Sequence, residues 1–335
     1  MASEYMVDFF QPADAPGVVD LFRSVYGEDY HVKSIYDPHQ LIAEQASGQT
    51  YRAVARTPEG AIIGHTAFYA ISDLNPALYE AGQLLIRHDW RGTNLAVDLN
   101  RFAIPQIPVR YNLKEIWGEA VCNHLFTQRM YTEHHYGETG LELDLLPGGG
   151  MARSMQAADT GRVSTVVVFR PYEAKPRTVY LPPFYREQLE FLYAAFDHGH
   201  TFAAAAQYLP SDEKTAARQD IYTAVAVARL NVTNLGGDFP SLLADFDDQA
   251  HRQNIHLSEV FLPLTAASVG AAVTELRHAG YFLGGVMPRW FGDDALLLQK
   301  VAGEPNFDGI RLYTDRSRDI LSLVKADWQL ACRGG

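Results

Sequence analysis

One segment of this 335-residue chain joins an apolar strand to a polar turn and a helix start, and its residue types suit phosphate binding. Residues 84–86 form an apolar run typical of a central strand, and residues 88–92 interrupt it with charge and a glycine. The side-chain oxygen of Thr93 or Asn94 can cap the helix that follows. The apolar face of that helix recurs at helical spacing through Leu95, Leu99 and Phe102. The segment therefore predicts backbone N–H groups that point outward at the positive end of a helix dipole, where a phosphate binds.

Alternating strands and helices surround this segment in the first half of the chain. Strands are predicted at residues 5–10, 50–56, 61–71, 78–86, 115–121 and 141–145, and a helix at residues 124–134. Asp14 is expected to cap a first helix and Asp37 to start a second, whereas Pro105 and Pro108 are expected to end the third. The Pro and Gly at residues 57–60 predict a hairpin turn. This order predicts an α/β (α+β) fold with a mixed sheet flanked by helices.

Length, composition and charge limit the class of protein. The length predicts two domains, and an apolar fraction of 47% is ample for packed cores. The net charge of −12 argues against nucleic-acid binding and favours a cationic small substrate, unless it only serves solubility. No apolar run is long enough to span a membrane, and residues 1–10 lack the pattern of a signal peptide. A cytoplasmic protein is therefore expected.

A glycine run separates the two halves of the sequence. Residues 148–162 are predicted to form a linker or mobile loop between a first domain at residues 1–147 and a second at residues 163–335. In the second half, strands are expected at residues 222–230, 258–264 and 309–313, among others, and a final helix at residues 316–331.

The second half contains an echo of the first. A strand at residues 259–264 followed by a helix and residues 279–282 parallels the strand at residues 115–121, its helix and residues 135–137. The second half is therefore either a diverged copy of the first or an unrelated α/β unit. Residues 234–238 only faintly echo the phosphate turn, so the second domain is predicted to be non-catalytic.

The first half, over residues 3–146, resembles the GNAT superfamily of acetyl-CoA-dependent N-acyltransferases. In that family an apolar strand precedes Arg or Gln, two residues, Gly, one residue, and Gly or Ala at a helix start. Residues 91–96 fill these places, with Asn94 where the family has glycine. Downstream, Tyr131 precedes Tyr136 as a family Tyr precedes the Phe of a Gly-Phe pair, with His135 at the glycine position. The resemblance implies a mostly antiparallel mixed sheet flanked by helices and a second, degenerate GNAT-like domain.

The resemblance also implies an N-acetyltransferase that uses acetyl-CoA as co-substrate and passes the acetyl group directly to a primary amine in a ternary complex. The pyrophosphate would bind the backbone N–H groups of the turn, pantetheine would pair with the strand before it, and a strand N–H would polarise the thioester oxygen. The residues expected to bind the cofactor are Leu85, Ile86, Arg91, Gly92, Thr93, Asn94, Leu95, Ala96 and Gln128.

Two side chains stand where the family carries proton-transfer groups. An alkylamine with a pKa near 10.4 is only about 0.1% free base at neutral pH, so a carboxylate must accept its proton directly or through water. Glu80 is the expected base, Glu119 a weaker candidate, and Tyr131 the expected acid for the CoA thiolate. The alternatives are a solvent-facing Glu80 and a core Tyr131 with its hydroxyl at the surface.

The acceptor site is expected between the first two helices, which border it in this family. Tyr26, Glu28 and Tyr30 cluster there, and aromatic rings with a carboxylate suit a cationic amine. Alternatively these residues form a loop that packs on the core. The second domain is expected to form a wall of the acceptor cleft or the surface of a homodimer.

No metal site is predicted. The histidines His124, His134, His135, His198 and His200 have no partners at ligand spacing and are interpreted as surface or capping residues. The competing hypothesis for the whole chain is a catalytically silent GNAT-like protein that binds acyl-CoA or serves as a scaffold.

Overall fold

The computed structural model describes residues 4–30, 32–148, 161–197 and 199–333. The chain divides into two compact units, Met1–Gly118 and Glu119–Gly335. This division falls earlier than the boundary expected at residues 148–162, because strand Gly137–Leu146 pairs antiparallel with strand Val163–Pro171 in the second unit. Residues 149–160 of the predicted linker lie outside the described residues. The domain assignment from the sequence stays a prediction.

The first unit is a mostly antiparallel sheet flanked by helices, which confirms the predicted fold class. Its elements are β1 (Met6–Phe9), α1 (Ala15–Tyr26), α2 (Pro38–Ser47), β2 (Thr50–Arg56), β3 (Ile62–Ala70), β4 (Leu78–Ile86), α3 (Leu95–Tyr111) and the first residues of β5 (Glu115–Val121). The strands pair in the order β1-β2-β3-β4-β5, antiparallel except for the parallel pair β4 and β5. The hairpin of β2 and β3 is therefore confirmed.

Helices cover both faces of this sheet. Val54 of β2 packs in a core cluster with Val18, Phe22 and other residues of α1, whereas its neighbour Ala55 packs with Leu95 of α3. Successive strand residues point to opposite faces, so α1 lies on one face and α3 on the other. The element before α3, β4, thus lies between two packed layers.

One of the two predicted helix caps is correct and the other is wrong. Asp37 does start α2, because its carboxylate accepts a hydrogen bond from the His39 N–H at 2.8 Å. The carboxylate of Asp14 makes no such cap with α1 and instead accepts from the Gln11 N–H at 2.6 Å and binds Arg56.

Pro105 and Pro108 lie inside α3 and do not end it. The helix continues to Tyr111, and Asn112 follows in a left-handed conformation with φ 56°. A proline in a helix interior costs about 3 kcal/mol. The burial of Ala103, Ile104 and Ile107 along the same turns shows that packing against the sheet outweighs this cost.

The second unit contains the rest of β5 and a longer series of elements. These are α4 (Phe126–Glu133), β6 (Gly137–Leu146), β7 (Val163–Pro171), β8 (Thr178–Leu181), α5 (Arg186–Tyr193), β9 (Thr201–Ala204), β10 (Ala216–Tyr222), β11 (Val227–Asn234), α6 (Phe239–Arg252), β12 (Leu257–Pro263), α7 (Val269–His278), β13 (Phe282–Met287), β14 (Ala295–Val301) and α8 (Asp315–Arg333). Its main strands lie in the order β7-β6-β13-β14-β12-β11-β10. In the described part of the chain no helix is long and apolar enough to cross a membrane.

The strand predicted at residues 309–313 does not form. A short 3-10 helix, Phe307–Gly309, occupies its start. The Arg311 carbonyl and the Tyr313 N–H bond to the side-chain amide of Gln128, at 2.8 and 2.9 Å, so these backbone groups are satisfied without a neighbouring strand.

The two units share a strand–helix–strand arrangement. In the first unit β4 pairs antiparallel with β3, passes through α3 and pairs in parallel with β5. In the second unit β11 pairs antiparallel with β10, passes through α6 and pairs in parallel with β12. Both units thus contain this connection, and the choice between a diverged copy and an unrelated α/β unit stays a prediction.

We expect the buried pair of Asp14 and Arg56 to stabilise the first unit much more than its exposed neighbour. Asp14 Oδ2 lies 2.5 Å from Arg56 Nη2, whereas Asp8 Oδ2 lies 3.6 Å from Arg56 Nη1 and is four times as exposed as Asp14 (36% against 8%). Asp14→Asn should lower the free energy of unfolding by about 2–3 kcal/mol because it leaves Arg56 without its main counter-charge. The matched Asp8→Asn should change it by less than about 1 kcal/mol. Urea unfolding measures both, and equal effects would contradict this assignment.

Candidate functional site

A bulge in β4 interrupts its pairing with β3. His65 pairs with Leu85 and Ala67 pairs with Gly82, so Gln83 and Leu84 together oppose the single residue between the two β3 positions. Gln83 adopts a left-handed conformation with φ 52°. An extra residue in one strand is the definition of a β-bulge, and bulges concentrate beside functional sites. The prediction of a regular strand missed it, although Gly82 inside a strand pattern was an available signal.

The parallel pairing of β4 with β5 is short. It covers Leu78 with Glu115, Tyr79 with Ile116, and Glu80 with Trp117. Residues 81–86 continue β4 beyond this pairing, toward the turn that precedes α3. A strand edge beyond its ladder can pair with an extended ligand through main-chain hydrogen bonds.

The turn between β4 and α3 is exposed and ends at the helix N-terminus. Residues 91–94 are all exposed, and Gly92 is left-handed with φ 80°. Thr93 Oγ1 accepts a hydrogen bond from the Leu95 N–H at 3.2 Å and donates to the Trp90 carbonyl at 2.8 Å. Of the two candidate caps, Thr93 therefore performs this role. Exposed backbone at a helix N-terminus is the geometry that favours an anionic ligand.

Asn94 has no need of a glycine conformation. Its φ is −78° and its ψ 0°, which any residue adopts, whereas the left-handed position of the turn belongs to Gly92. Replacement of the family glycine by Asn94 therefore leaves the turn unstrained.

The start of the turn between β4 and α3 packs on a hydrophobic cluster. Trp90 is half-buried against the cluster of Ala55, Ile63 and Leu95, and its ring meets Tyr5 edge to face at 5.6 Å. The indole thus ties the start of the turn to both β1 and α3, as a phosphate-binding loop on a rigid scaffold requires.

Glu80 lies close to two tyrosines of the first unit. Its Oε1 and the Tyr69 hydroxyl lie 3.3 and 2.9 Å from the point where a side chain on Gly82 would begin. Burial raises the pKa of Tyr30, and the charges of Tyr26 and Glu80 raise it further. The structure therefore brings the predicted base near the predicted acceptor residue Tyr30, and only a residue without a side chain fits at Gly82.

The predicted acceptor residues lie along the end of α1. The rings of Tyr26 and Tyr30 lie 5.1 Å apart, and Tyr30 also meets Phe22 of the core at 5.0 Å. Burial raises the pKa of Tyr26, while the charge of Arg91 lowers it, which places Tyr26 near the turn before α3. Tyr26 and Tyr30 thus link the turn to Glu80, and they pack on the core as the alternative interpretation also expected.

Glu28 contacts two basic side chains of its own segment. Its carboxylate lies 2.8 Å from Arg23 Nε, with both side chains exposed, and its carbonyl accepts from Lys33 Nζ at 2.6 Å. Arg23 and Lys33 also lie over the ring of Tyr36, at 5.8 and 5.9 Å. The surroundings of Glu28 are therefore balanced in charge and do not form an anionic patch.

In the second unit, Tyr131 is a buried tyrosine at the end of α4. It is 4% exposed, and its ring packs on Tyr136 at 4.9 Å between centroids. The Tyr136 N–H donates to the Tyr131 carbonyl at 3.1 Å, which closes the turn between helix and strand. His135 stands at the family glycine position and adopts the left-handed conformation itself, with φ 60°.

Gln128 has a structural role. Its Nε2 donates to the carbonyls of Val121, His124 and Arg311 at 2.8–3.1 Å, and its Oε1 accepts from the Tyr313 N–H at 2.9 Å. The side-chain amide is fully engaged within the protein. Gln128 therefore holds the residues before α8 and does not present a free amide to a cofactor, contrary to the expectation.

Glu119, the weaker base candidate, belongs to a buried ionic cluster. Arg229 lies 2.7 Å from Glu259, 3.2 Å from Glu142 and 3.7 Å from Glu119. Burial raises the pKa of Glu119 to about 6, against the attraction of Arg229. Three carboxylates around one guanidinium compete for the same counter-charge, and burial also raises the pKa of Glu142.

The loop before α6 is the second-unit counterpart of the turn before α3, but the chain itself fills it. The Gly237 N–H donates to the Glu213 carbonyl at 3.2 Å, and the Gly236 N–H donates to Thr215 Oγ1 at 3.1 Å. The carboxylate of Asp238, at the start of α6, accepts from the Thr215 N–H at 2.7 Å. This loop therefore has no room for an external phosphate.

The histidines serve structural roles where they are described. His124 Nδ1 accepts from the Phe126 N–H at 3.2 Å and caps α4 as expected. His200, expected at the surface, is buried and bonds Asp294 through Nε2 at 2.9 Å. His198 lies outside the described residues. No group of three His, Cys, Asp or Glu side chains suited to a metal ion occurs among the residues that the structure describes.

Comparisons with known proteins gave structural similarity only. No family model matches the chain, and no curated protein gives a significant match. The ribosomal-protein-S5-alanine acetyltransferase from Vibrio fischeri is 12% identical with a TM-score of 0.39, over 52% of this chain and 96% of its own. An N-acetyltransferase from Staphylococcus aureus Mu50 is 9% identical with a TM-score of 0.39, over 51% and 100%. A dodecameric spermidine N-acetyltransferase from Vibrio cholerae is 15% identical with a TM-score of 0.37, over 50% and 94%.

These three structures are acetyltransferases, the class that the sequence resemblance names. Their identities and TM-scores are too low to carry a function to this chain.

Glycine should stabilise only one of the two positions that depart from the family glycines. His135→Gly should raise the free energy of unfolding by about 1 kcal/mol, because a left-handed conformation costs a side-chain-bearing residue roughly 1–2 kcal/mol. The matched Asn94→Gly should give no gain, since Asn94 carries no such strain. Thermal and urea unfolding compare the two variants, and stabilisation by Asn94→Gly would show that the turn requires a left-handed residue there.

Proposed function

We propose that this protein is a GNAT-type N-acetyltransferase that transfers an acetyl group from acetyl-CoA to a primary amine. The observation that carries the proposal is the sequence of features along one strand: a bulge at Gln83, a strand edge beyond Glu80, and an exposed turn with left-handed Gly92 before α3. Together these offer main-chain groups to an extended ligand that ends in a pyrophosphate. A cytoplasmic location and a homodimer stay predictions.

The cofactor would be held mostly by backbone. The N–H groups from Arg91 to Ala96 would bind the pyrophosphate at the positive end of α3. Leu85 and Ile86 direct their side chains into packed clusters, so only their backbone is offered to pantetheine. Arg91, exposed beside the turn, would add a positive charge near the phosphates.

The reaction joins the amine to the acetyl carbon in one direct step. The amine nitrogen attacks the thioester carbon, the C–N bond forms and the C–S bond breaks, and coenzyme A leaves as a thiolate. Glu80 would accept the amine proton, directly or through water, and Tyr131 would donate a proton to the thiolate sulfur. Glu119 is less suited to the base role because its carboxylate shares Arg229 with two other carboxylates.

The acceptor would meet an aromatic surface with one catalytic carboxylate. Tyr26 and Tyr30 could contact a cationic amine through their rings, close to Glu80. Glu28 contributes less than the sequence suggested, because Arg23 and Lys33 already bind it. We therefore infer that a single primary ammonium group, placed over the tyrosines, is the feature recognised.

We further infer that the second half has no catalytic site of its own. Its loop before α6 is filled by residues 213–215. Arg229 pairs with Glu259 at the third position of the β11–β12 ladder, the position that Glu80 holds in the β4–β5 ladder. A permanent cation cannot act as a base.

The competing function is a silent acyl-CoA-binding protein. Its support in the sequence was the loss of two family glycines at Asn94 and His135. Asn94 needs no glycine conformation and His135 adopts the left-handed one, so neither departure prevents the proposed site from forming. Binding and turnover of acetyl-CoA distinguish this function from that of an active acetyltransferase.

Gly92→Ala should weaken the binding of coenzyme A about tenfold, because a side chain at φ 80° strains the turn by roughly 1–2 kcal/mol. Gly60→Ala in the β2–β3 hairpin is the matched control, since Gly60 has φ 88° and both glycines have open space around them. Both variants should lose similar stability, but only Gly92→Ala should lose affinity in calorimetric titration. Equal affinities for coenzyme A in both variants would contradict the placement of the pyrophosphate.

Turnover of acetyl-CoA with a panel of primary amines tests the catalytic assignment by release of free thiol. Glu80→Gln and Tyr131→Phe should each lower kcat about a hundredfold, because each removes a proton-transfer group. The exposed Glu59→Gln and Tyr208→Phe are controls and should leave kcat within about twofold, as surface changes usually do.

Two results would overturn parts of this scheme. Full activity in both Glu80→Gln and Tyr131→Phe would refute the assigned roles. Binding of acetyl-CoA without turnover of any amine in the panel would favour the silent binding protein.

A further inference from the structure

Two side chains of β3 hold the carbonyl groups at the β4 bulge. His65 Nδ1 lies 3.1 Å from the Gln83 carbonyl oxygen, and Thr66 Oγ1 donates to the Gly82 carbonyl oxygen at 3.2 Å. A carbonyl oxygen only accepts, so His65 Nδ1 must carry the proton. Two successive carbonyls of β4 are therefore directed toward β3, whereas successive carbonyls of a regular strand alternate in direction.

The direction of these carbonyls determines where the N–H groups point. In a planar trans peptide the N–H points opposite to the carbonyl of the same peptide group. The N–H groups of Gln83 and Leu84 therefore both point away from β3. Because β4 has β3 on one side and β5 on the other, and pairing with β5 ends at Glu80, these N–H groups face the edge proposed for the cofactor.

His65 is suited to a fixed hydrogen bond and unsuited to proton transfer. Its side chain is fully buried and packs against Phe22 at 5.2 Å between ring centroids. Burial and the nearby charge of Arg52 lower the pKa of His65 to about 3, although the bond to Gln83 opposes this. The imidazole is therefore neutral at physiological pH, with its one N–H committed to Gln83.

The contact of His65 with Gln83 leaves two buried polar atoms unpartnered in the part of the chain that the structure describes. His65 Nε2 is buried without a hydrogen-bond partner among the described residues, and so is Gln83 Oε1. An unpartnered buried polar atom costs roughly 1–3 kcal/mol, which an apolar residue at position 65 would avoid. The hydrogen bond that His65 donates to the Gln83 carbonyl is the polar contact that offsets this cost.

We propose that His65 and Thr66 are positioning residues that present the N–H groups of Gln83 and Leu84 to the thioester carbonyl oxygen of acetyl-CoA. The inference rests on the proposed function and assigns to it two side chains that touch neither substrate nor cofactor. They act through the bulge, whose paired N–H groups stabilise the negative charge that develops on this oxygen during attack.

Isosteric variants at Thr66 separate this role from packing. Thr66→Val keeps the shape and removes the donor to the Gly82 carbonyl, whereas Thr66→Ser keeps the donor. Thr66→Val should lower kcat about tenfold to a hundredfold with an unchanged KM for acetyl-CoA, because a misplaced donor acts on the transition state and not on cofactor affinity. Thr66→Ser should keep most of the wild-type kcat.

Two variants at His65 should rank in one order by activity and in the reverse order by stability. The Nδ2 of His65→Asn lies where Nδ1 of the histidine lies and can still donate to Gln83, but the lost ring leaves a cavity. His65→Leu fills more of the space and has no donor. We expect His65→Asn to be the more active variant and the less stable one, a combination that a purely structural role would not produce.

Infrared spectra of bound acetyl-CoA labelled with ¹³C at the thioester carbonyl provide a readout that needs no acceptor amine. The stretching frequency should fall on binding to the wild type and to Thr66→Ser, and should return toward the free value in Thr66→Val and His65→Leu. Equal shifts and equal kcat in the wild type and these three variants would overturn the positioning role while leaving the acetyltransferase intact. A wild-type protein that binds no acetyl-CoA would overturn the proposed function and this inference with it.

Discussion

The single extra residue of β4 determines how the first unit can meet a ligand. With a regular ladder, β4 would alternate its carbonyls and hydrogen-bond to both neighbours along its whole length. The bulge at Gln83 instead turns two carbonyls toward His65 and Thr66, and the parallel pairing with β5 stops at Glu80. The same strand therefore leaves an edge of main-chain groups and then delivers the chain to the exposed turn before α3.

The elements and the turn could be predicted from the sequence because their signals are local. Apolar runs, the Pro and Gly of the hairpin turn and the strand–turn–helix pattern at residues 84–96 each follow from a few neighbouring residues. The predictions that failed depended on distant partners. Asp14 binds Arg56, 42 residues away, and α3 continues through two prolines because its face packs on the sheet.

Some residues of the candidate site could be chosen from local sequence, whereas the distant contacts of others could not. Gly92, Thr93 and Glu80 could be chosen from position in a pattern, since backbone turns and strand registers carry that information. The engagement of Gln128 with Arg311 and Tyr313, more than 180 residues away, has no trace in local sequence. Nor does the bond of His65 to the bulge, because a buried histidine on an apolar strand is in most proteins a packed core residue.

The β4–β5 and β11–β12 ladders share a topology but differ in the charges that they carry. At the third position of β11, Arg229 is buried with Glu259, Glu142 and Glu119. Burial lowers the pKa of Arg229, but the three carboxylates raise it more, so that it stays above its ordinary value. Burial and the neighbouring carboxylates also hold the pKa of Glu142 well above its usual range. A buried pair of this kind must remain complete, because removal of either partner leaves an uncompensated charge.

In the proposed reaction Glu80 faces the contrary requirement in the first unit. A base must lose and regain a proton in each cycle, so a permanent cation bound to it would hold its proton affinity too low. Glu80 is half-buried at the point where β4 leaves its pairing with β5, and Tyr69 and Tyr30 lie near it. The second unit combines a filled loop with a neutralised ladder, whereas the first combines an exposed turn with a carboxylate among tyrosines. Under the proposed function the first unit must keep its turn open and its carboxylate able to exchange a proton, whereas no such requirement acts on the second unit.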